Sequence, residues 1–193
     1  GEQKLNELRN INTDWFKELI RNNLYQKHNV SIRGGSEQTT YYISANYTKQ
    51  GGRLPGNDKQ RMSLRMNLDQ KLGHIGYALL SVNGGYAKTN TPNGSTSDPT
   101  QLVYELNPYE TKDGGELISY PGRTYKDLMN QFSQESAAKT AGISGSLTLN
   151  PLPGLDIAAV AGLDFLLDET EQFTPSTSYS EMTSGIPELK RGI

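Results

Sequence analysis

The stretch Arg61-Met62-Ser63-Leu64-Arg65-Met66-Asn67-Leu68-Asp69 decides the fold. Its even positions are Met, Leu, Met and Leu, and its odd positions are Arg, Ser, Arg, Asn and Asp. A strict period of two puts all the apolar side chains on one face of an extended chain, whereas a helix would scatter them around its axis. The same alternation recurs on both sides of this stretch. Tyr41, Ile43, Ala45 and Tyr47 alternate with Thr40, Tyr42, Ser44, Asn46 and Thr48. Ala141, Ile143, Gly145, Leu147 and Leu149 form a third stripe, and Leu155, Ile157, Ala159, Ala161, Leu163, Phe165 and Leu167 a fourth. No stripe position is charged. Val30 and Ile32 give a weaker version, and His74 to Thr89 changes phase midway, which predicts a bulge near Gly84-Gly85.

One apolar face per strand suits either a soluble sandwich or a membrane wall. The connections favour the wall. Gly34-Gly35-Ser36-Glu37, Leu72-Gly73 and Pro151-Leu152-Pro153-Gly154 are tight turns, and they alternate with the longer Gly51 to Asp58 and a very long excursion from Asn90 to Ser136. Short turns at one end of a meander and long loops at the other are the pattern of outer-membrane barrels. Strand length agrees. The runs read as about 12 to 16 residues against a soluble mode of ~5–6, and about 13 residues tilted by ~40° rise roughly 33 Å, enough for an apolar band of ~25 Å.

The expected fold is therefore all-β: an antiparallel meander of about six long strands, part of a transmembrane β-barrel, with short helices in its loops. Its parts are an N-terminal segment with a short helix at 1–25, a four-stranded antiparallel meander at 26–89, and a long loop with short helices at 90–136. A β-hairpin at 137–168 and an irregular tail at 169–193 complete one partial barrel domain. The helices are predicted from Asn12-Thr13-Asp14 ahead of Trp15, Phe16, Leu19 and Ile20 and from Asp98-Pro99 ahead of Leu102, Val103 and Leu106. A third follows from the spacing of Tyr125, Leu128, Met129 and Phe132.

Composition sets the limits on function. The chain has 193 residues with 19 Lys+Arg against 21 Asp+Glu, a net charge of -2, which argues against nucleic acid as a partner. Leu, Ile, Val and Phe together are 40 of 193 residues, Gly numbers 20 and mean hydropathy is -0.66. That is too little apolar material for an ordinary core, so the apolar residues are expected to cover a surface rather than fill a volume. Zero Cys excludes a disulfide framework or a thiolate metal site. Residues Gly1 to Asn10 have no apolar run of the signal-peptide kind, and the apolar run Ile157 to Leu163 is too short for a spanning helix.

Chemistry is nearly absent, and the chain is expected not to be an enzyme. His28 and His74 have no metal-ligand spacing. Gly142-Ile143-Ser144-Gly145-Ser146 lacks the final Gly of a nucleophile elbow. Asp156, Asp164 and Asp168 are too spread along an extended chain for a carboxylate pair and read as a solvated face. The glycine pairs lack any phosphate-loop context, and the tripeptides at Asn29, Asn46 and Asn93 match a glycosylation acceptor that chance supplies often. No catalytic, cofactor-binding or metal-binding residues are assigned. The tyrosines form the remaining candidate set. Tyr41, Tyr42, Tyr47, Tyr77 and Tyr86 fit an interfacial girdle or ordinary cross-strand packing. Tyr104, Tyr109, Tyr120 and Tyr125, in the long loop, are candidate contacts to a ligand or partner.

Three blocks of the sequence resemble one family. Asn12-Thr13-Asp14-Trp15, then Gln26 to Gly35 and Thr39 to Tyr47, form the first; Arg61 to Asp69 forms an R-x-S-L-R-x-N-L-D strand; Asn150-Pro151-Leu152-Pro153-Gly154-Leu155 forms a P-x-x-G-L turn. In this order they resemble the SusC/RagA family of TonB-linked outer-membrane proteins. The resemblance implies import of glycans, peptides or other large nutrients through a 22-stranded barrel with an internal plug. It also implies a SusD-like surface lipoprotein as lid, TonB as energy source, and the outer membrane as location. The chain lacks plug, TonB box and most strands, so it is expected to be an internal piece of such a barrel, and no family functional residue falls within it. Excised, it would expose two sheet edges and an apolar face, so pairing with another copy, or refolding into a smaller sheet packed on its own helices, is expected. The rival reading is a free-standing soluble β-sandwich that binds a glycan or a protein.

Overall fold

The computed structural model describes residues 2–54, 56–92, 99–129, 133–174 and 189–192. Two short helices, α1 (Glu2–Arg9) and α2 (Trp15–Leu19), precede strands β1 (Tyr25–Gly35), β2 (Thr39–Gly51), β3 (Asp58–Lys71) and β4 (Gly76–Thr91). Helices α3 (Pro99–Glu105) and α4 (Tyr125–Met129) lie in the long connection to β5 (Ser133–Leu152), which is followed by β6 (Leu155–Phe173) and β7 (Leu189–Gly192). All seven strands belong to one antiparallel sheet in sequence order β1 to β7. There is no second sheet among the described residues, so nothing there makes a sandwich. No described helix is long and apolar enough to cross a membrane, which leaves strands free to do so.

Register turns the separate stripes into one surface. Val30 pairs with Ala45, Ala45 with Leu64, Leu64 with Gly84, Gly84 with Ala141 and Ala141 with Phe165. One pleat further on, Ile32, Ile43, Met66, Val82, Ile143 and Leu163 line up in the same way. Directly paired residues of antiparallel strands point to the same side, so every stripe lies on a single face. That face is uncovered: Leu64 is 54% exposed, Phe165 60% and Leu163 76%. A one-residue slip in any strand would move its whole apolar set to the polar side, which is why the register is held over such lengths.

The turns are short where the sequence predicts them, and two depend on glycine conformation. Gly73 (φ +66) and Gly154 (φ +84) have no atom near their missing Cβ, so the backbone angle, not space, selects glycine there. At Pro153-Gly154 the proline fixes φ and the glycine supplies the positive angle that follows it.

Several expectations are corrected. The bulge near Gly84-Gly85 does not exist: β4 pairs without a shift with β3 from Asn90 to Tyr77 and with β5 from Gly76 to Thr91. The phase change arises because Tyr77 and Leu79 lie on the polar face while Ala78, Leu80 and Val82 lie on the apolar one. The irregular register occurs instead between Leu149 and Leu152, beside the β5–β6 turn. Strand β5 starts at Ser133, inside the segment read as loop, and β6 continues to Phe173. Those extensions (Ser133 to Ser136, Glu169 to Gln172) are polar on both faces, so they carry no alternation to read. Strand β7 lies in the segment read as an irregular tail and pairs with Thr170 to Phe173. The expected cap Asp98, the helix residue Phe132 and the tripeptide at Asn93 lie outside the described residues.

Candidate functional site

The polar face of the sheet is concave. A cavity of about 730 Å³ touches every long strand, from Arg33 on β1 through Tyr42, Asn67, Ser81 and Ser144 to Val160 on β6. The hollows on the apolar face are narrower, one spanning β1 to β4 and another β4 to β6. Side chains on the concave face bond across strands: Asn46 donates to the Ser63 hydroxyl at 3.4 Å, the Ser81 hydroxyl to Asn67 at 2.9 Å and the Thr40 hydroxyl to Asp69 at 3.2 Å. Ser44 is buried in the middle of it. Of the strand tyrosines, Tyr41, Tyr47 and Tyr86 project from the apolar face and Tyr42 and Tyr77 from the concave one. Tyr47 stacks on His28, its direct cross-strand partner, with ring centroids 6.2 Å apart. At the opposite end of β2, the Tyr41 ring lies over Gly34, where a Cβ would meet its hydroxyl at 2.6 Å.

Above the long-loop end stands a small folded cap. Its core is Trp15 and Leu19 from α2, Leu102 and Leu106 from the α3 region, Leu117, and Leu128 from α4, and no strand residue joins it. The sequence predicts the helices but gives no local sign that the segment before β1 packs on a loop almost a hundred residues later. The joint is specific: the Trp15 indole N–H donates to the Asn107 carbonyl at 2.8 Å, Thr13 N–H to the Pro108 carbonyl at 2.8 Å and the Thr13 hydroxyl to the Glu110 carbonyl at 2.6 Å. Asp14 caps α2 by accepting from Lys17 N–H at 3.3 Å. Glu110, which pattern reading missed, organises the loop. Its carboxylate is buried and accepts from Asn107 N–H (2.7 Å), Ser119 N–H (2.7 Å) and the Ser119 hydroxyl (3.0 Å). A buried carboxylate is tolerated only with such donors around it.

The four loop tyrosines divide into two pairs. Tyr120 and Tyr125 pack against the cap core; Tyr125 stacks on Trp15 at 5.5 Å, and the Tyr120 hydroxyl bonds to Glu105. Tyr109 is half exposed and Tyr104 is 87% exposed. Burial pushes the Tyr125 phenol pKa up, its hydrogen bond to Glu18 raises Lys112, and the Thr124 backbone N–H holds Asp127 below the usual carboxylate value. Arg21 ties the cap's stem to the sheet rim, bonding through its side chain to the Gly52 carbonyl (3.2 Å) and the Asp58 carboxylate (3.1 Å). No cluster of three or more His, Asp or Glu able to hold a metal occurs among the described residues. The arrangement can cover, line and hold.

No family model matches the sequence. The chain is 28% identical over 123 residues to the TonB-dependent receptor SusC of Bacteroides thetaiotaomicron, a match covering 59% of this chain and 12% of that protein. It is 31% identical over 117 residues to the TonB-dependent receptor P3 of Formosa agariphila, covering 61% of this chain and 11% of that one. It thus spans a small part of the length of these relatives. Among solved structures it is similar to the RagAB peptide transporter, with a TM-score of 0.68 and 26% identity over 88% of this chain and 21% of that one. The RagAB peptide importer in the closed-closed state gives 0.70 at 22% identity, also over 88% of this chain and 21% of that one, a likeness of fold alone. The sheet is part of a transmembrane β-barrel.

Proposed function

We propose, on the premise that this chain is a barrel segment resembling the SusC/RagA family of TonB-linked outer-membrane proteins, that in its full-length parent it forms part of the wall of a nutrient importer. The observation that carries the proposal is the register, which gathers every apolar stripe onto one uncovered face and leaves a hydrogen-bonded polar face on the other. Lipid contacts the first and the barrel lumen holds the second. The three short turns lie on the periplasmic side and the cap outside the cell, following the turn-and-loop asymmetry of such barrels. The parent works with a SusD-like surface lipoprotein and TonB, and its cargo is a glycan, a peptide or another large nutrient. Exposed Tyr104 and Tyr109 are the loop tyrosines that cargo or lipoprotein can touch, while Tyr120 and Tyr125 act by holding the cap together.

Replacing residues 99–129 by a short Gly-Ser linker in the full-length parent tests the cap's part in this. Assembly of the barrel, read by heat-modifiable electrophoretic migration, is expected to persist while uptake and co-purification of the surface lipoprotein fall. If both stay at the parental level, the loop has no such role.

A further inference from the structure

The charges of the concave face are sorted by strand. On β1 and β3 the register places Lys27, Arg33, Lys59, Arg61, Arg65 and Lys71 on that face, against the single carboxylate of Asp69. From β4 to β6 the same face carries Asp156, Asp164 and Asp168, with no cation. The sign reverses within single rows: Arg61 is aligned through Ala87 and Ala138 with Asp168, and Arg65 through Asn83 and Gly142 with Asp164. Three strand steps separate the members of each row, roughly 14 Å. None of the six cations forms an ion pair among the described residues, although the outward rim above the apolar band is laced with them, as at Lys88–Glu135 and Lys139–Glu169. The floor within these two rows is neutral and small, with Ala87 and Ala138 in one and Asn83 and Gly142 in the other. At Gly142 a Cβ would meet Asp164 at 2.5 Å and Asn83 at 2.7 Å, so both side chains lean over the glycine.

We infer that the concave face of β1 to β3 is a lane for anionic, carboxylate-bearing cargo. Lys59, Arg61, Arg65 and Lys71 form a column of cations running along β3 for roughly 40 Å of strand. A cleft lined by one sign of charge between low-dielectric walls concentrates ions of the other sign. The carboxylates on β6 repel the same cargo and confine it laterally to the cationic side. Within this segment no neighbouring carboxylate matches these cations among the described residues, so their charge is left to whatever faces them across the lumen. This inference rests on the reading of the concave face as the lumen, and it names the cargo's chemistry.

The test uses the purified full-length receptor and two fluorescent octapeptides, one glutamate-rich and one with glutamine at every glutamate. Tighter binding of the glutamate peptide is expected, with an advantage that shrinks as salt rises. Arg61→Gln with Arg65→Gln should cut that advantage roughly three- to tenfold, and Asp164→Asn with Asp168→Asn should enlarge it. Heat-modifiable migration checks that each variant assembles. Equal binding of the two peptides, binding of neither, or an advantage untouched in the arginine variant overturns the inference. A cysteine at Ser63 probed with a membrane-impermeant thiol reagent reports separately on the lumen. If it is labelled and the peptides are not distinguished, the charge lane fails and the wall stands; if it is shielded, the wall reading itself fails.

Discussion

Leu102 in the cap is 0% exposed, and Leu163 on the sheet is 76% exposed. The cap has a few short helical turns and buries six apolar side chains, Trp15 among them, whereas the sheet has six long strands and buries none of its large apolar side chains. The cap excludes water by folding on itself. The sheet's face stays uncovered within the chain, so what covers it comes from outside. The low apolar content is thus spent almost entirely on a surface, and a soluble domain of this size built the same way would aggregate through that surface. Excised from its barrel, the chain should self-associate through the apolar face and the open β1 edge.

Each contrast can be broken separately. The largest effect is expected from Trp15→Ala, which removes the centre of the cap and its bond to Asn107; cap stability should fall by about 3–5 kcal/mol, seen as fast amide exchange over 99–129 while β2 to β4 stay protected. Next comes the pair Leu64→Arg and Ser63→Arg in the full-length parent. The first puts a charge at mid-height on the lipid face and should cost about 2–4 kcal/mol, and the second, on the lumen face, close to nothing, by equilibrium unfolding in lipid vesicles. Equal costs would erase the difference between the two faces.

Thr124→Ala is smaller, about 1 kcal/mol. Thr124 and Asp127 cap α4 reciprocally, the threonine N–H and hydroxyl each donating to the carboxylate at 2.8 Å. Because Asp127 titrates below its ordinary value, its contribution is fully present above that value and is lost as pH falls through the lowered one. Acid should therefore loosen the α4 turn in the parental cap and have less effect in an Asp127→Asn variant, read by exchange at Leu128. The smallest effect belongs to the Lys112–Glu18 pair across the cap joint. Both side chains are well exposed, so Glu18→Gln should cost at most a few tenths of a kcal/mol, vanishing at high salt.

The sheet was legible because its alternation is set by a medium on each side: Met62 to Leu68 face one solvent and Arg61 to Asp69 another. Where that contrast fades, reading fails. Ser133 to Ser136 and Glu169 to Gln172 are polar on both faces because the strands there rise beyond the apolar band, so their strand state left no trace. Tyr77 and Leu79 imitate a bulge because they add apolar bulk to the polar face without moving the backbone. The cap was legible only in pieces. The helical spacing around Trp15 and Leu128 is local, but the bonds from Thr13 and Trp15 to Asn107, Pro108 and Glu110 join distant segments, and nothing in a periodicity encodes them. The loop tyrosines follow the same rule: their residue type suggested contact, and only packing separates exposed Tyr104 from Tyr125 against Trp15.

The absence of cysteine from this chain makes the central claim directly measurable. Single cysteines at successive positions from 61 to 68, placed in a full-length parent freed of other thiols and spin-labelled in lipid vesicles, report collision with oxygen dissolved in lipid and with a water-soluble nickel chelate. Oxygen accessibility should peak at 62, 64, 66 and 68, and nickel accessibility at 61, 63, 65 and 67. Nickel access at every position, with no alternation, would contradict a strand that separates lipid from lumen.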